Sequence, residues 1–143
     1  GEFSPAREPY LNRIADNGLQ DEVLLHDRFI PDDDVKYYFS AADFVVQPYK
    51  TATQSGVTQI AYQFCVPMVV TKVGGLAEIV PDGRVGYVCE PTPEGVAGAL
   101  ERMYEGDTLQ RFRENCVEER RRFSWEEMCS RITELYGLVA SGK

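Results

Sequence analysis

Apolar residues along the chain alternate between short continuous runs and helically spaced sets, and the clearest alternation lies between residues 42 and 80. Ala42-Asp43-Phe44-Val45-Val46-Gln47 is a run short enough to be a buried strand, and Pro48 ends it by removing a ladder donor. From Val57 the apolar positions Val57, Ile60, Ala61 and Phe64 share one helical face, with Thr51, Thr53 and Ser55 available as N-caps. Pro67 closes that helix, and Met68-Val69-Val70-Thr71 makes the next strand. Strand, polar turn, helix and strand predict a parallel βαβ unit. Its helix would start at the carboxyl edge of the sheet with free backbone N–H groups pointing outward, where such folds hold phosphates. Thr53, Gln54, Ser55 and Gly56 are therefore a candidate anion cradle. The plainer alternative is a well-capped helix entry, since every helix has four free N–H groups and few bind an anion. A second loop, Val73 to Glu78, should emerge on the same edge and carries Gly74 and Gly75. Two neighbouring loops with close-approach glycines point to a ligand cleft.

The flanking pattern extends the same architecture. Pro9 to Asn17 reads as a helix with Leu11, Ile14 and Ala15 inward, stopped by Gly18. Val23-Leu24-Leu25 reads as a short buried strand, followed by a turn through Pro31 and a helix from Val35 to Ala42 opened by Asp32-Asp33-Asp34. Ile79-Val80 is an apolar turn, Pro81-Asp82-Gly83 a second turn, and Tyr87-Val88-Cys89 the last strand. Thr92-Pro93 begins a helix to about Tyr104 with Val96, Ala99, Leu100 and Met103 on one face. Asp107 caps a helix to about Arg122. Ser124-Trp125-Glu126-Glu127 is a capping box that opens a final helix striped with Met128, Ile132, Leu135, Tyr136 and Val139. The expected fold class is α/β: a Rossmann-like parallel sheet flanked by helices, with extra helices at the C-terminal end.

Composition changes this picture little. A chain of 143 residues suits one domain with one core. The formal net charge of −8 and pI near 4.7 argue against nucleic acid or an anionic membrane surface as partner. Arg120-Arg121-Arg122 follows Glu118-Glu119 at a helix end and reads as a complement to the helix dipole rather than a binding patch. Asp32-Asp33-Asp34 could be a metal or phospho-acceptor cluster, but carboxylates in a first helical turn are favoured without any ligand. The only histidine, His26, has no serine or cysteine arranged around it and reads as a positioning or packing residue. Cys65, Cys89, Cys116 and Cys129 form no CxxC pair and do not suggest a zinc site; each lies in or beside an apolar segment, as reduced and mostly buried thiols would. With no signal peptide and no apolar run near ~18 residues, no transmembrane segment is expected, and the reading is a cytoplasmic protein.

Phe29-Ile30-Pro31-Asp32, Ala41 to Pro48, Val66 to Val80 and Asp82 to Val88, with Phe123-Ser124-Trp125 before the last helix, resemble in order the C-terminal donor-binding domain of family-4-like retaining glycosyltransferases. The resemblance covers nearly the whole chain. It implies a GT-B architecture of two Rossmann-like domains, of which this one binds a nucleotide-diphosphate sugar and the other mainly the acceptor. It further implies transfer with retention, no cofactor and usually no metal, the leaving diphosphate being stabilised by helix-start amides and basic residues. On that reading Thr53 to Gly56 hold phosphate, Phe29, Ile30 and Gln59 lie near the base or ribose, and Gly74-Gly75 shape the cleft wall. Polysaccharide or cell-envelope assembly, with a place at the cytoplasmic membrane face, is what the family makes natural.

Three departures accompany the resemblance. The family commonly carries two glutamates with seven residues between them around the central helix, and alignment from Pro67 places Ala52 and Ile60 there. No catalytic residue is therefore assigned. The family's phosphate-binding arginine and lysine belong to a first strand–loop–helix with no match before Gly1, and the acceptor domain has no match at all. The expectation is a fragment of a longer enzyme, inactive alone, with a sheet edge open to self-association. A non-catalytic binding or assembly domain of the same fold is the alternative favoured by the missing glutamates. A flavodoxin-like receiver or flavin module fits less well, because its acids would follow the first strand rather than open a helix.

Overall fold

The computed structural model describes residues 7–140, in two compact units that divide between Lys36 and Tyr37. In the first unit, α1 spans Glu8–Asp16, with a proline in its first turn and Glu8 at its positive end. Gly18 adopts a positive φ of 67° just past the helix, as a C-terminal stop requires. The expected inward face is not buried: Leu11 is exposed, Ile14 is half-buried and Ala15 is exposed. Val23-Leu24-Leu25 is not a strand. The Val23 N–H closes back onto the Leu19 carbonyl at 3.0 Å, and Leu24 is 80% exposed. Three apolar residues cannot hold an extended conformation without a neighbouring strand to satisfy their backbone groups. Arg7 and Asp27 form an ion pair at 2.8 Å. α2 follows at Asp32–Ala41, with its three aspartates in the first turn where the dipole favours them.

The second unit is built on a three-stranded parallel sheet, ordered β1 (Val45–Gln47), β2 (Met68–Thr71), β3 (Gly86–Cys89). Between β1 and β2 lies α3 (Gly56–Gln63), and the one-turn α4 (Leu76–Ile79) follows β2. After β3 come α5 (Pro93–Met103) and α6 (Thr108–Glu119), a 3-10 turn over Arg120–Phe123, and α7 (Trp125–Ala140). All of β2 is buried, as the middle strand of a sheet covered on both faces must be. Strand alternation sends Met68 and Val70 into a cluster with Ala61, Tyr62, Leu76 and Cys116, while Val69 joins Tyr87, Ala99, Met103 and Phe112 on the other face.

The buried stripe of α3 is turned by about one residue from its sequence expectation. Thr58, Ala61 and Tyr62 are buried, whereas Val57, Ile60 and Phe64 are half-buried. Tyr62 explains the rotation: its hydroxyl donates to the Ile79 carbonyl at 2.6 Å, so a polar-tipped ring anchors the helix over α4. Burial raises the Tyr62 pKa, which keeps that hydroxyl a donor.

The capping residue expected for α6 makes no cap. Asp107 has no side-chain cap bond and instead pairs with Arg111 at 3.1 Å. Ser124 does cap α7, its hydroxyl accepting from the Glu127 N–H at 3.2 Å. The arginine run is a 3-10 turn in which Arg122 bonds Glu119 at 2.9 Å. Arg84 reaches the same Glu119 at 2.7 Å, and these two guanidiniums hold the Glu119 carboxyl below its ordinary range. A depressed folded-state pKa contributes stability that is present above the unfolded value and lost as pH falls through the folded one. Urea unfolding of the wild type should therefore weaken below about pH 4 more steeply than that of Glu119→Gln. Parallel acid limbs for the two proteins would show that the carboxylate is not held by these arginines. Along α7 the apolar stripe is solvent-exposed, including Ile132, Leu135, Tyr136 and Val139.

Candidate functional site

The site is assembled by two loops that leave the carboxyl ends of β1 and β2. Pro48 takes the chain out of β1, and the loop returns through Thr53 and Gln54 to α3. The second loop turns at Gly74, whose φ of 51° lies in the left-handed region. There the two loops are laced together: Gly75 N–H donates to the Thr53 carbonyl at 3.0 Å. A Cβ on Gly74 would lie 1.8 Å from the Ala52 oxygen. The expected adjacency of the loops is thus present. The close approach that demands glycine, however, is made by the neighbouring loop's backbone.

Ser55 is the working cap of α3. Its backbone is extended, and its hydroxyl accepts from Val57 N–H at 3.2 Å. Thr58 N–H bonds the Ser55 carbonyl at 3.3 Å, and Thr58 Oγ1 donates to the same oxygen. Two of the helix-start donors are therefore spent internally. Gly56, at the first helical position, has no intrahelical acceptor for its N–H. Nothing lies within 4 Å of where its Cβ would be, so the helix start is open on that side. Thr53 and Gln54 are exposed beside it.

Gln47 lies outside the residues expected from sequence. This last residue of β1 is 2% exposed, and neither its Nε2 nor its Oε1 has a partner among the described residues. Thr71 Oγ1 lies 3.4 Å from the Gln47 backbone carbonyl and bonds Tyr49 O at 2.6 Å. An unsatisfied buried amide costs roughly 1–3 kcal/mol. Gln47→Met should therefore raise the urea midpoint by the equivalent of about 1–2 kcal/mol. A lowered midpoint would mean that the amide is satisfied in solution. A polar residue in an otherwise apolar strand was the signal that could have found it. The ends of the strands also line a cleft of about 340 Å³ that includes Pro48, Lys50, Thr71, Pro93 and Leu100, which bring α5 to the sheet edge.

The remaining expected residues are more scattered. Gln59 is exposed on α3 and lines a cleft of about 540 Å³ with Tyr62, Arg120, Arg121 and Trp125. Phe29 and Ile30 belong to the first unit, where Phe29 is 72% exposed and Ile30 is half-buried. The thiols are less buried than expected: Cys116 is buried, Cys65 and Cys89 are half-buried and Cys129 is exposed, since α7 leaves its side chains in solvent. Burial raises the Cys116 thiol to about 12. No helix among the described residues is long and apolar enough to cross a membrane.

Against known proteins, residues 1–106 match the family model described as glycosyl transferases group 1. The chain belongs to the group 1 glycosyltransferases. It is 30% identical to a D-inositol 3-phosphate glycosyltransferase of Paenarthrobacter aurescens over 99% of its length, and 33% identical to D-inositol 3-phosphate glycosyltransferase 2 of Catenulispora acidiphila over 92%. It spans about a third of those relatives, 35% and 31% of their lengths. Among solved structures, sucrose-phosphate synthase from Thermosynechococcus elongatus superposes with a TM-score of 0.78 at 22% identity, covering 100% of this chain and 38% of the synthase. Anabaena HepE in complex with UDP superposes with a TM-score of 0.72 at 22% identity, over 91% of this chain and 36% of HepE. These neighbours share the α/β Rossmann-like fold expected of a GT-B domain.

Proposed function

We propose that this group 1 glycosyltransferase chain is the donor-binding part of a longer enzyme that moves a sugar from a nucleotide-diphosphate sugar to an acceptor with retention. The observation that carries the reading is the start of α3: the open Gly56 N–H beside Gln54 and Ser55, at the carboxyl edge of a parallel sheet, braced by the Gly74-Gly75 loop. A diphosphate placed there receives an oriented amide and the positive end of an eight-residue helix. Those groups favour charge that grows on the leaving diphosphate as the glycosidic bond breaks, which is where binding energy lowers the barrier. Gly74 and Gly75 would form the cleft wall, and Gln59 a ribose contact. Supporting the choice of donor, a fold neighbour is described in complex with UDP. The relatives act, by their names, on D-inositol 3-phosphate, which makes a phosphorylated polyol a reasonable first acceptor for the parent protein.

The reading is tested by incubating the full-length parent with UDP-, GDP- and ADP-sugars and following the anomeric signals of donor and product by NMR. Product with the donor's anomeric configuration supports it; inverted product, or donor unchanged with any acceptor, contradicts it. A second reading, a binding or assembly domain without catalysis, is favoured by Ala52 and Ile60 standing where the family's two glutamates would be. It expects nucleotide binding without turnover. Among the described residues β1 lies at the edge of the sheet with Val46 exposed, a ready template for self-association of the isolated chain.

A further inference from the structure

The end of α3 carries a feature that sugar transfer does not use. Its C-terminus is a complete Schellman motif: Val66 N–H bonds the Ala61 carbonyl at 2.9 Å, and Cys65 N–H bonds the Tyr62 carbonyl at 3.1 Å. The motif calls for a left-handed residue, nearly always glycine, and here Cys65 occupies it with φ 53°. Among the described residues no other non-glycine has a positive φ. A side chain in that conformation costs free energy, and backbone strain of this kind is concentrated where a side chain has a task.

The strained thiol is held in a defined place. Arg120 Nη1 donates to Cys65 Sγ at 3.5 Å. Arg120 in turn continues the helical course of α6, its N–H bonding the Cys116 carbonyl. Cys116 thus sits one turn before Arg120 on the same helical face. Cys65 packs against the core cluster that contains Cys116. Charge on Cys65 is also among the influences that raise the Cys116 thiol. Cys65 is half-buried, while Cys116 is buried.

We propose that Cys65 and Cys116 are a redox-active dithiol that closes to a disulfide when a hydroperoxide oxidises Cys65, tying the end of α3 to α6. In the first step the Cys65 sulfur attacks one peroxide oxygen; the O–O bond breaks, Cys65 becomes a sulfenic acid and one water leaves. In the second, the Cys116 sulfur displaces the sulfenic oxygen, which leaves with the thiol proton as a second water. Two thiols and one hydrogen peroxide give one disulfide and two waters. Burial keeps Cys116 away from bulk oxidant, so the half-buried Cys65 is the entry point and Cys116 the resolving partner, whose sulfur loses its proton as it attacks. Neither step depends on a donor bound at the start of α3.

The test is treatment of the 143-residue chain with hydrogen peroxide under native conditions, alkylation of the remaining thiols, and peptide mapping by mass spectrometry. Cys129, exposed on α7, reports ordinary thiol reactivity in the same sample. The expected result is a Cys65–Cys116 linked peptide with loss of two hydrogens, reversed by dithiothreitol and absent in Cys65→Ser. Cys65 advancing to the sulfinic acid with Cys116 recovered alkylated would overturn the proposal. So would recovery of both thiols unoxidised while Cys129 reacts. The linked peptide is sought in the wild type, so the test does not require that a Cys116 variant fold.

Discussion

Gly74→Ala is expected to unlace the two loops and abolish nucleotide binding while leaving most of the fold in place. Its Cβ would stand 1.8 Å from the Ala52 oxygen and 2.8 Å from the Ala52 carbon, both backbone atoms that cannot rotate away. The left-handed φ of 51° adds a penalty of about 1–2 kcal/mol for any side chain. Relief requires one loop to withdraw, breaking the 3.0 Å bond from Gly75 N–H to Thr53 O and shifting the residues that lead into α3. The total should be roughly 2–4 kcal/mol of stability, read as a lowered urea midpoint. If the donor reading holds, calorimetric titration should show nucleotide binding lost in the same variant. A variant with wild-type midpoint and wild-type binding would mean that the loop contact is not maintained in solution.

Gly86→Ala should be more damaging to the fold and less specific to the site. Gly86 pairs with Met68 across β2 and β3, and a Cβ there would meet the Met68 oxygen at 1.9 Å and the Met68 nitrogen at 3.0 Å. The obstruction falls inside the sheet, between the buried β2 and the buried start of β3, and neither can move without opening a parallel ladder. A loss of about 3–5 kcal/mol is expected, enough to leave much of the chain unfolded near 37 °C. Gly98→Ala is the control: nothing lies within 4 Å of its Cβ in α5, and removing a helix-interior glycine should stabilise by about 0.5–1 kcal/mol. If Gly86→Ala and Gly98→Ala shift the thermal midpoint alike, the pairing of Gly86 with Met68 is wrong.

The parts of this architecture that were legible in the sequence are those fixed by local chemistry. Met68 to Thr71 is apolar until its last residue and bounded by Pro67, and it forms the buried central strand at those bounds. Thr92 and Ser124 cap the helices they were expected to cap, because a hydroxyl three residues before a free N–H is a local arrangement. Long-range features were less legible. Val23 to Leu25 has the composition of a strand but no partner, and composition cannot reveal whether a partner exists. The rotation of α3 depends on Tyr62 finding the Ile79 carbonyl, seventeen positions away. At the site, the pairing of the Thr53 and Gly74 loops followed from βαβ topology, but the reason for glycine did not: it is the Ala52 carbonyl, not a ligand, that occupies the space. Gln47 and the Cys65–Cys116 pair were hidden because one requires knowing burial and the other requires knowing that α6 returns to the end of α3.

The most direct test of donor binding at the start of α3 is an amide-resolved NMR titration of the 143-residue chain with UDP, GDP and ADP in turn. Saturable shifts are expected for one nucleotide, concentrated at Gln54 to Val57 and at Gly74-Gly75. Shifts that saturate elsewhere and leave those amides unmoved would contradict donor binding at this site, as would the absence of shifts in the chain and in the full-length parent alike.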